Sequence, residues 1–235
     1  MCLLPAARRI FRTLPLCAAL AAASQLPLAA MAAGLPDANA ATARARARLA
    51  TADEGSLQRE LRLRRIERLK RSGKRADAAR LMPLLKDADR HVRREAEQAI
   101  WLLWGRSGNA GVDHLFRAGV GAMGRGEIEQ AIDAFTRIVD LSPNFAEAWN
   151  KRATARFIAG DLAGAMDDCE RALSLLPDHF GSLAGYGHIY FRLNDLDMAI
   201  RYWERALAVN PNLASVERSI EAAQKLLHGR GRLRT

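Results

Sequence analysis

The sequence predicts an all-α protein: an α-α superhelix of three helical hairpins with a C-terminal capping helix, preceded by basic N-terminal capping helices. Three observations carry this reading. Pro143, Pro177 and Pro211 recur at strict 34-residue intervals. Each keeps the same company: Ala131, Ala165 and Ala199 twelve residues earlier, Phe135, Cys169 and Trp203 eight earlier, and Gly119, Ala153 and Gly187 twenty-four earlier. A fixed period that holds small, large and helix-ending residues in constant phase is the mark of stacked helical hairpins. Upstream, Asp89 is placed to cap a helix whose residues Val92, Ala96, Ala99, Ile100 and Leu103 form a stripe of 3.6-residue period.

Taken in order, the chain opens on a basic start (Arg8, Arg9, Arg12) and an uncharged, alanine-rich apolar run from Leu14 to Ala33. Residues 1–33 read as a signal peptide with Ala30-Met31-Ala32 at the cleavage region, the alternative being an anchoring or disordered N-terminus. Arg8-Arg9-Ile10-Phe11 resembles the twin-arginine export pattern. The expected location is therefore outside the cytoplasm, in the periplasm, with secretion as the alternative. Cys2 and Cys17 fall in this segment, so only Cys169 remains beyond it. It sits in the large-apolar slot shared with Phe135 and Trp203, where a buried packing thiol is expected rather than a nucleophile.

Residues 34–56 have few large apolar side chains and read as a flexible linker. Residues 57–107 read as a basic helical cap, with one helix over Leu57, Leu61, Ile66 and Leu69, a second over about 76–85, and the Asp89-capped third. Solenoids need such a cap to cover the first apolar face. Trp101 and Trp104, three apart on one helix face, are expected to seal the join between the cap and the first hairpin.

Charge divides the chain. The total is +10. Residues 41–100 hold 17 Lys and Arg against 9 Asp and Glu, whereas residues 112–228 hold 12 against 16. The basic helices of residues 57–94 have three possible uses: a solvated surface, binding of anionic envelope lipid or polymer, or binding of nucleic acid. Nucleic acid is the least expected, because no zinc ligands, helix-turn-helix spacing or aromatic-rich sheet pattern is present to read bases. Residues 229–235 form a basic tail with Arg230, Arg232 and Arg234.

The lattice of alanines, glycines and prolines resembles the tetratricopeptide repeat family over residues 108–228. The units are 112–145, 146–179 and 180–213, with a capping helix over 212–228 and turns near Gly124-Arg125-Gly126, Gly160-Asp161 and Asn194-Asp195. On this pattern the glycine-row residues face the alanine row inside each hairpin, and Phe135, Cys169 and Trp203 fill the gap towards the next unit. Asn144, Asp178 and Asn212 are expected to cap the helices after the prolines. The second unit departs from the pattern at Arg152 and Arg156, which are expected to lie partly exposed.

The resemblance implies a non-catalytic scaffold that accepts a protein or peptide partner in a concave groove lined by the first helix of each unit. The positions it carries over are Phe116, Val120 and Met123, then Asn150, Lys151, Thr154 and Phe157, then Gly181, Ala184, Gly185, His188 and Phe191. Chaperone-docking relatives clamp a terminal carboxylate with Lys, Asn, Asn, Lys and Arg. The matching positions here are Phe116, Val120, Lys151, Gly181 and Gly185, so that clamp is not expected.

Nothing in the sequence asks for catalysis, a cofactor or a metal. His91, His114, His179, His188 and His228 lack metal-ligand spacing. Asp167, Asp168 and Glu170 are expected to face solvent, and the crowded glycines from Gly119 to Gly126 follow no strand. His188 beside Tyr190 is the polar pair expected in the groove.

Overall fold

The computed structural model describes residues 38–232. The proposed signal segment and the last three residues of the basic tail lie outside them. The chain divides into two units, Met1–Thr51 and Ala52–Thr235. Every regular element among the described residues is helical: α1 (Ala38–Ser72), 3-10 helices at Arg75–Arg80 and Met82–Lys86, α2 (Arg90–Trp104), α3 (Ala110–Gly124), α4 (Ile128–Leu141), α5 (Ala146–Ala159), α6 (Leu162–Leu175), α7 (Phe180–Arg192), α8 (Leu196–Val209) and α9 (Ala214–Arg232).

Two expectations about the first part are corrected. The linker proposed for 34–56 is helical from Ala38 onward. Ala and Arg dominate this stretch, both are strong helix formers, and no proline interrupts them. The single helix expected over 76–85 is instead two 3-10 helices meeting at Leu81. Pro83 has no N–H to continue an α-helical ladder there. Asp89 does cap α2, its carboxylate accepting from the amides of His91 and Val92 at 2.8 and 3.1 Å.

From α3 to α8 the hairpins pair as α3–α4, α5–α6 and α7–α8, and α9 closes the array against α8. Gly126, Gly160 and Asn194 carry positive φ at successive 34-residue steps, so each hairpin turns through a left-handed residue at the same phase. Glycine and asparagine are the residue types that tolerate this conformation. Ala131, Ala165 and Ala199 are fully buried. The large-residue slot packs towards the next element as expected, Phe135 clustering with Ala148 and Ala155, Cys169 with Tyr186 and Ile189, and Trp203 with Val216 and Ala223, and it also fills its own hairpin. A Cβ on Gly119 would lie 2.9 Å from the Phe135 ring, and one on Gly187 would lie 2.3 Å from the Trp203 ring.

The expected caps are also displaced by one residue. The amide of Phe145 donates to the Ser142 carbonyl and that of His179 to the Leu176 carbonyl, so Pro143-Asn144 and Pro177-Asp178 are the centres of tight turns. Phe145 and His179 then become the cap residues of α5 and α7. Asn212 serves a long-range contact instead. Its side-chain amide donates to the Leu85 carbonyl, and its oxygen accepts from Arg93, both at 2.9 Å.

Those two bonds locate the N-terminal segment. It runs along the edge where successive hairpins join, and its core includes residues far from the first hairpin. Ile66, Leu81, Leu85, Ile100, Leu103 and Trp104 form one cluster with Phe180 at the start of α7. Leu176, Val209 and Leu213 pack against the same cluster. Trp101 and Trp104 therefore seal the segment to the third hairpin rather than the first.

In the second hairpin Arg156 is partly exposed as expected, but Arg152 and Asp168 are buried, at 7 % and 1 % accessible. They form a two-pronged pair at 2.9 and 2.7 Å. Arg156 adds a third bond to Asp168 at 3.0 Å, Thr136 accepts from Arg152 at 3.2 Å, and the Arg152 guanidinium lies over the Trp149 ring. The charges can be buried because each has a partner and a fixed geometry.

Candidate functional site

α3, α5 and α7, the helices expected to line the concave surface, lie side by side, and the two ends of the surface they form differ. At the end nearest the start of these helices the surface is already filled. The Trp101 ring covers Gly181, where a Cβ would fall 2.5 Å from the indole. It also lies 5.3 Å from the Lys151 ammonium.

Beneath it is a closed polar chain. Glu147, 3 % accessible, meets Nε2 of fully buried His179 at 2.8 Å and Lys151 at 3.2 Å. Asn150 donates to Glu147, and the Ser182 hydroxyl lies 3.1 Å from both the Asn150 oxygen and His179 Nδ1. The order Ser182–His179–Glu147 resembles a nucleophile–base–acid array. Its chemistry is different. Nδ1 of His179 already accepts the Ser182 backbone N–H as a helix cap at 3.1 Å, which places the ring hydrogen on Nε2, towards Glu147. Trp104 stacks on the same ring, and Ser182 is fully buried, so no substrate reaches it. The chain of bonds braces α5 against α7, and the stacking of Trp104 on His179 ties α2 to it. Burial disfavours the Glu147 anion, but Lys151 and His179 outweigh it and hold the carboxyl below its ordinary value.

Beyond Trp101 the surface opens. A cavity of about 220 Å³ lies between α5 and α7 and brings together Asn150, Thr154, Phe157, Ala184 and His188 from the sequence-derived set, with Gly181 and Gly185. Its remaining walls are Ala153 and Cys169, which the repeat pattern assigns to packing, and Ile189. Cys169 is 1 % accessible and burial pushes its thiol up to about 12, so it is part of an inert wall. His188 stands against Trp203 at 5.3 Å, and burial lowers the pKa of its ring. Tyr190 stacks instead with Tyr186 and Tyr202, so the expected His188–Tyr190 pair does not form.

The other predicted residues divide between rim and core. Val120 and Phe191 are exposed. Phe191 also packs on Trp203, and Arg192 sits over the Phe157 ring at 5.2 Å. Met123 packs on the first hairpin's core. Phe116 is 8 % accessible and lies within that core, between Phe135 and Phe145, so it presents little surface to a partner. Lys151 has both Glu147 and Trp101 as neighbours already. Among the described residues there is no group of three His, Cys, Asp or Glu side chains able to hold a metal, and no helix is long and apolar enough to cross a membrane.

Two models of the tetratricopeptide repeat match the chain, one over residues 116–180 and one over 187–213. The hairpins are thus similar to tetratricopeptide repeats over these residues. A TPR repeat-containing protein of Rhizobium etli is 30% identical over 130 residues, covering 55% of this chain and 64% of that protein. Tetratricopeptide repeat protein 36 of Mus musculus is 44% identical over 57 residues, 24% of this chain and 31% of that protein. The match thus spans less than two thirds of either relative. The Sgt2 TPR domain from Aspergillus fumigatus superposes with a TM-score of 0.51 at 24% identity, covering 53% of this chain and 83% of the domain. That similarity concerns the fold. Tetratricopeptide repeats are protein–protein interaction modules and generally act as scaffolds without catalysis.

Proposed function

We propose that this chain is a non-catalytic scaffold that binds a protein partner, as a peptide or a helix, at the open end of its concave surface. The observation that carries the reading is the cavity between α5 and α7, with apolar walls and Asn150, Thr154 and His188 as its polar points. A cavity of about 220 Å³ is smaller than those that hold drug-sized ligands, and suits one side chain of a longer segment. Burying a large apolar side chain there supplies affinity, and Val120, Phe157 and Phe191 extend the contact along the surface. Because Trp101 fills the other end, the partner's path runs towards the C-terminal halves of α3, α5 and α7.

The proposed setting is the cell envelope. Its support is the sequence of residues 8–33, which lie outside the described residues. A photo-reactive amino acid placed at Thr154, and separately at Glu204 on α8, tests the surface directly. One discrete cross-linked protein from position 154, absent from position 204, is the expected result. Equal products from both positions, or none from 154 in a folded protein, would overturn the proposal.

A further inference from the structure

The cations of α1 fall into two groups that its sequence mixes together. The inward face of the helix carries Leu63, Ile66 and Leu69, which enter the core it shares with α2. The cations beside them are neutralised across that contact: Arg59 with Asp89 at 2.6 Å, Arg62 with Asp87 at 2.9 Å, and Lys70 with Glu95 at 2.7 Å. The opposite face is unlike it. At helical spacing it presents Leu57, Leu61, Arg64, Arg68 and Arg71, flanked by Arg65 on one side and by Glu60 and Glu67 on the other, and all eight are exposed. Arg64 pairs with Glu60 on its own helix, while Arg65, Arg68 and Arg71 form no ion pair among the described residues. Leu57 and Leu61 are 59% and 49% accessible and lie one turn apart.

We propose that this outward face of α1 adsorbs to an anionic phospholipid surface. The chemistry is complementary in both parts. Three guanidinium groups with no internal partner meet phosphate oxygens, which they bind in two-pronged fashion. The two leucines enter the boundary between headgroups and acyl chains, where an exposed apolar side chain is stabilised. From Leu57 to Arg71 the face is about 21 Å long, which lets it lie along a bilayer surface. Exposed leucines have no use against the phosphate backbone of a nucleic acid, so the pair favours lipid. Because the inward cations are occupied, the surface acts while α1 remains docked on α2, and the concave surface of the repeats stays available to its partner.

The test is co-sedimentation of the full chain with vesicles of phosphatidylglycerol and phosphatidylcholine, against vesicles of phosphatidylcholine alone. The readout is the excess partitioning to the anionic vesicles, with thermal unfolding as a check that each variant is folded. Each surface-proximal arginine strengthens such partitioning about fivefold, so Arg68→Gln with Arg71→Gln should lower the excess about 25-fold. Leu57→Ser with Leu61→Ser should lower binding in a way that added salt does not reproduce. Arg201→Gln, an exposed arginine on α8, should change nothing. No excess on anionic vesicles, or an excess that survives loss of Arg68 and Arg71, overturns the proposal. Tighter binding to duplex nucleic acid than to anionic vesicles, unaffected by the leucine changes, would overturn it in favour of a nucleic-acid surface.

Discussion

The Trp104 ring stacks on the His179 imidazole with centroids 4.3 Å apart and planes at 21°. One residue belongs to the helix before the repeats, and the other caps the first helix of the third repeat. Through this contact the N-terminal segment covers the Glu147–His179 bond and sends Trp101 over one end of the concave surface. The segment is thus a wall of the binding site as well as a cap on the array.

That wall is testable through Gly181. A Cβ there would fall 2.5 Å from the Trp101 ring, so Gly181→Ala should cost about 1–3 kcal/mol of stability by overpacking. In a Trp101→Ala background the same change should cost much less. Urea denaturation of the four proteins gives the coupling, expected at about 1 kcal/mol or more. Additive effects would mean that Trp101 does not occupy the groove in solution.

Asp168 sits between two arginines, with Arg152 at 2.7 Å and Arg156 at 3.0 Å. Asp168→Ala should destabilise the protein by about 3–5 kcal/mol, because it leaves Arg152 buried without its counter-charge. Replacing the pair by Arg152→Met with Asp168→Leu should cost less than that single change. Denaturant midpoints measure both.

Glu147 titrates below its usual 4.5 in the folded protein. The unfolded chain therefore takes up this proton more readily than the native state. The resulting stability is present above about pH 4.5 and is lost as pH falls through the lower native value. Glu147→Gln should lower stability at neutral pH and flatten the acid limb of the stability curve. Urea midpoints at neutral pH and at about pH 3.5 test this; parallel curves for the two proteins would contradict it.

Cys169 should be unreactive while the protein is folded. A thiol moved from 9.0 to about 12 carries about 1,000-fold less thiolate at pH 8, and burial restricts access further. Maleimide labelling followed by mass mapping of the Cys169 peptide should show that retardation in buffer and lose it in denaturant. Rapid labelling in buffer would show that the cavity wall opens.

The array is legible in the sequence because its information is periodic. Pro143, Pro177 and Pro211 end helices wherever they occur, and the turn residues Gly126, Gly160 and Asn194 keep the same step. Contact between segments far apart in the chain is not written in that way. Arg152 and Asp168 look exposed in sequence because nothing local announces a partner sixteen residues away. Their common appearance on adjacent repeat helices is the available signal. Trp101 and Trp104 are packing residues, as their spacing suggests, but their target depends on how the N-terminal segment folds back along the repeats. The groove divides similarly. Asn150, Thr154, Phe157, Ala184 and His188 do meet in one cavity, whereas Phe116 is drawn into the core by Phe135 and Phe145, a consequence of side-chain volume rather than of register.

The most direct test of the binding surface is the affinity of a peptide selected from a random display library on the full chain, measured by titration against the wild type, Phe157→Asp and Trp101→Ala. A charge placed in the apolar cavity should weaken binding by about 100-fold or more while thermal unfolding stays close to the wild type, and removal of Trp101 should leave the peptide bound. Unchanged affinity in a folded Phe157→Asp protein would show that the cavity between α5 and α7 is not where the partner binds.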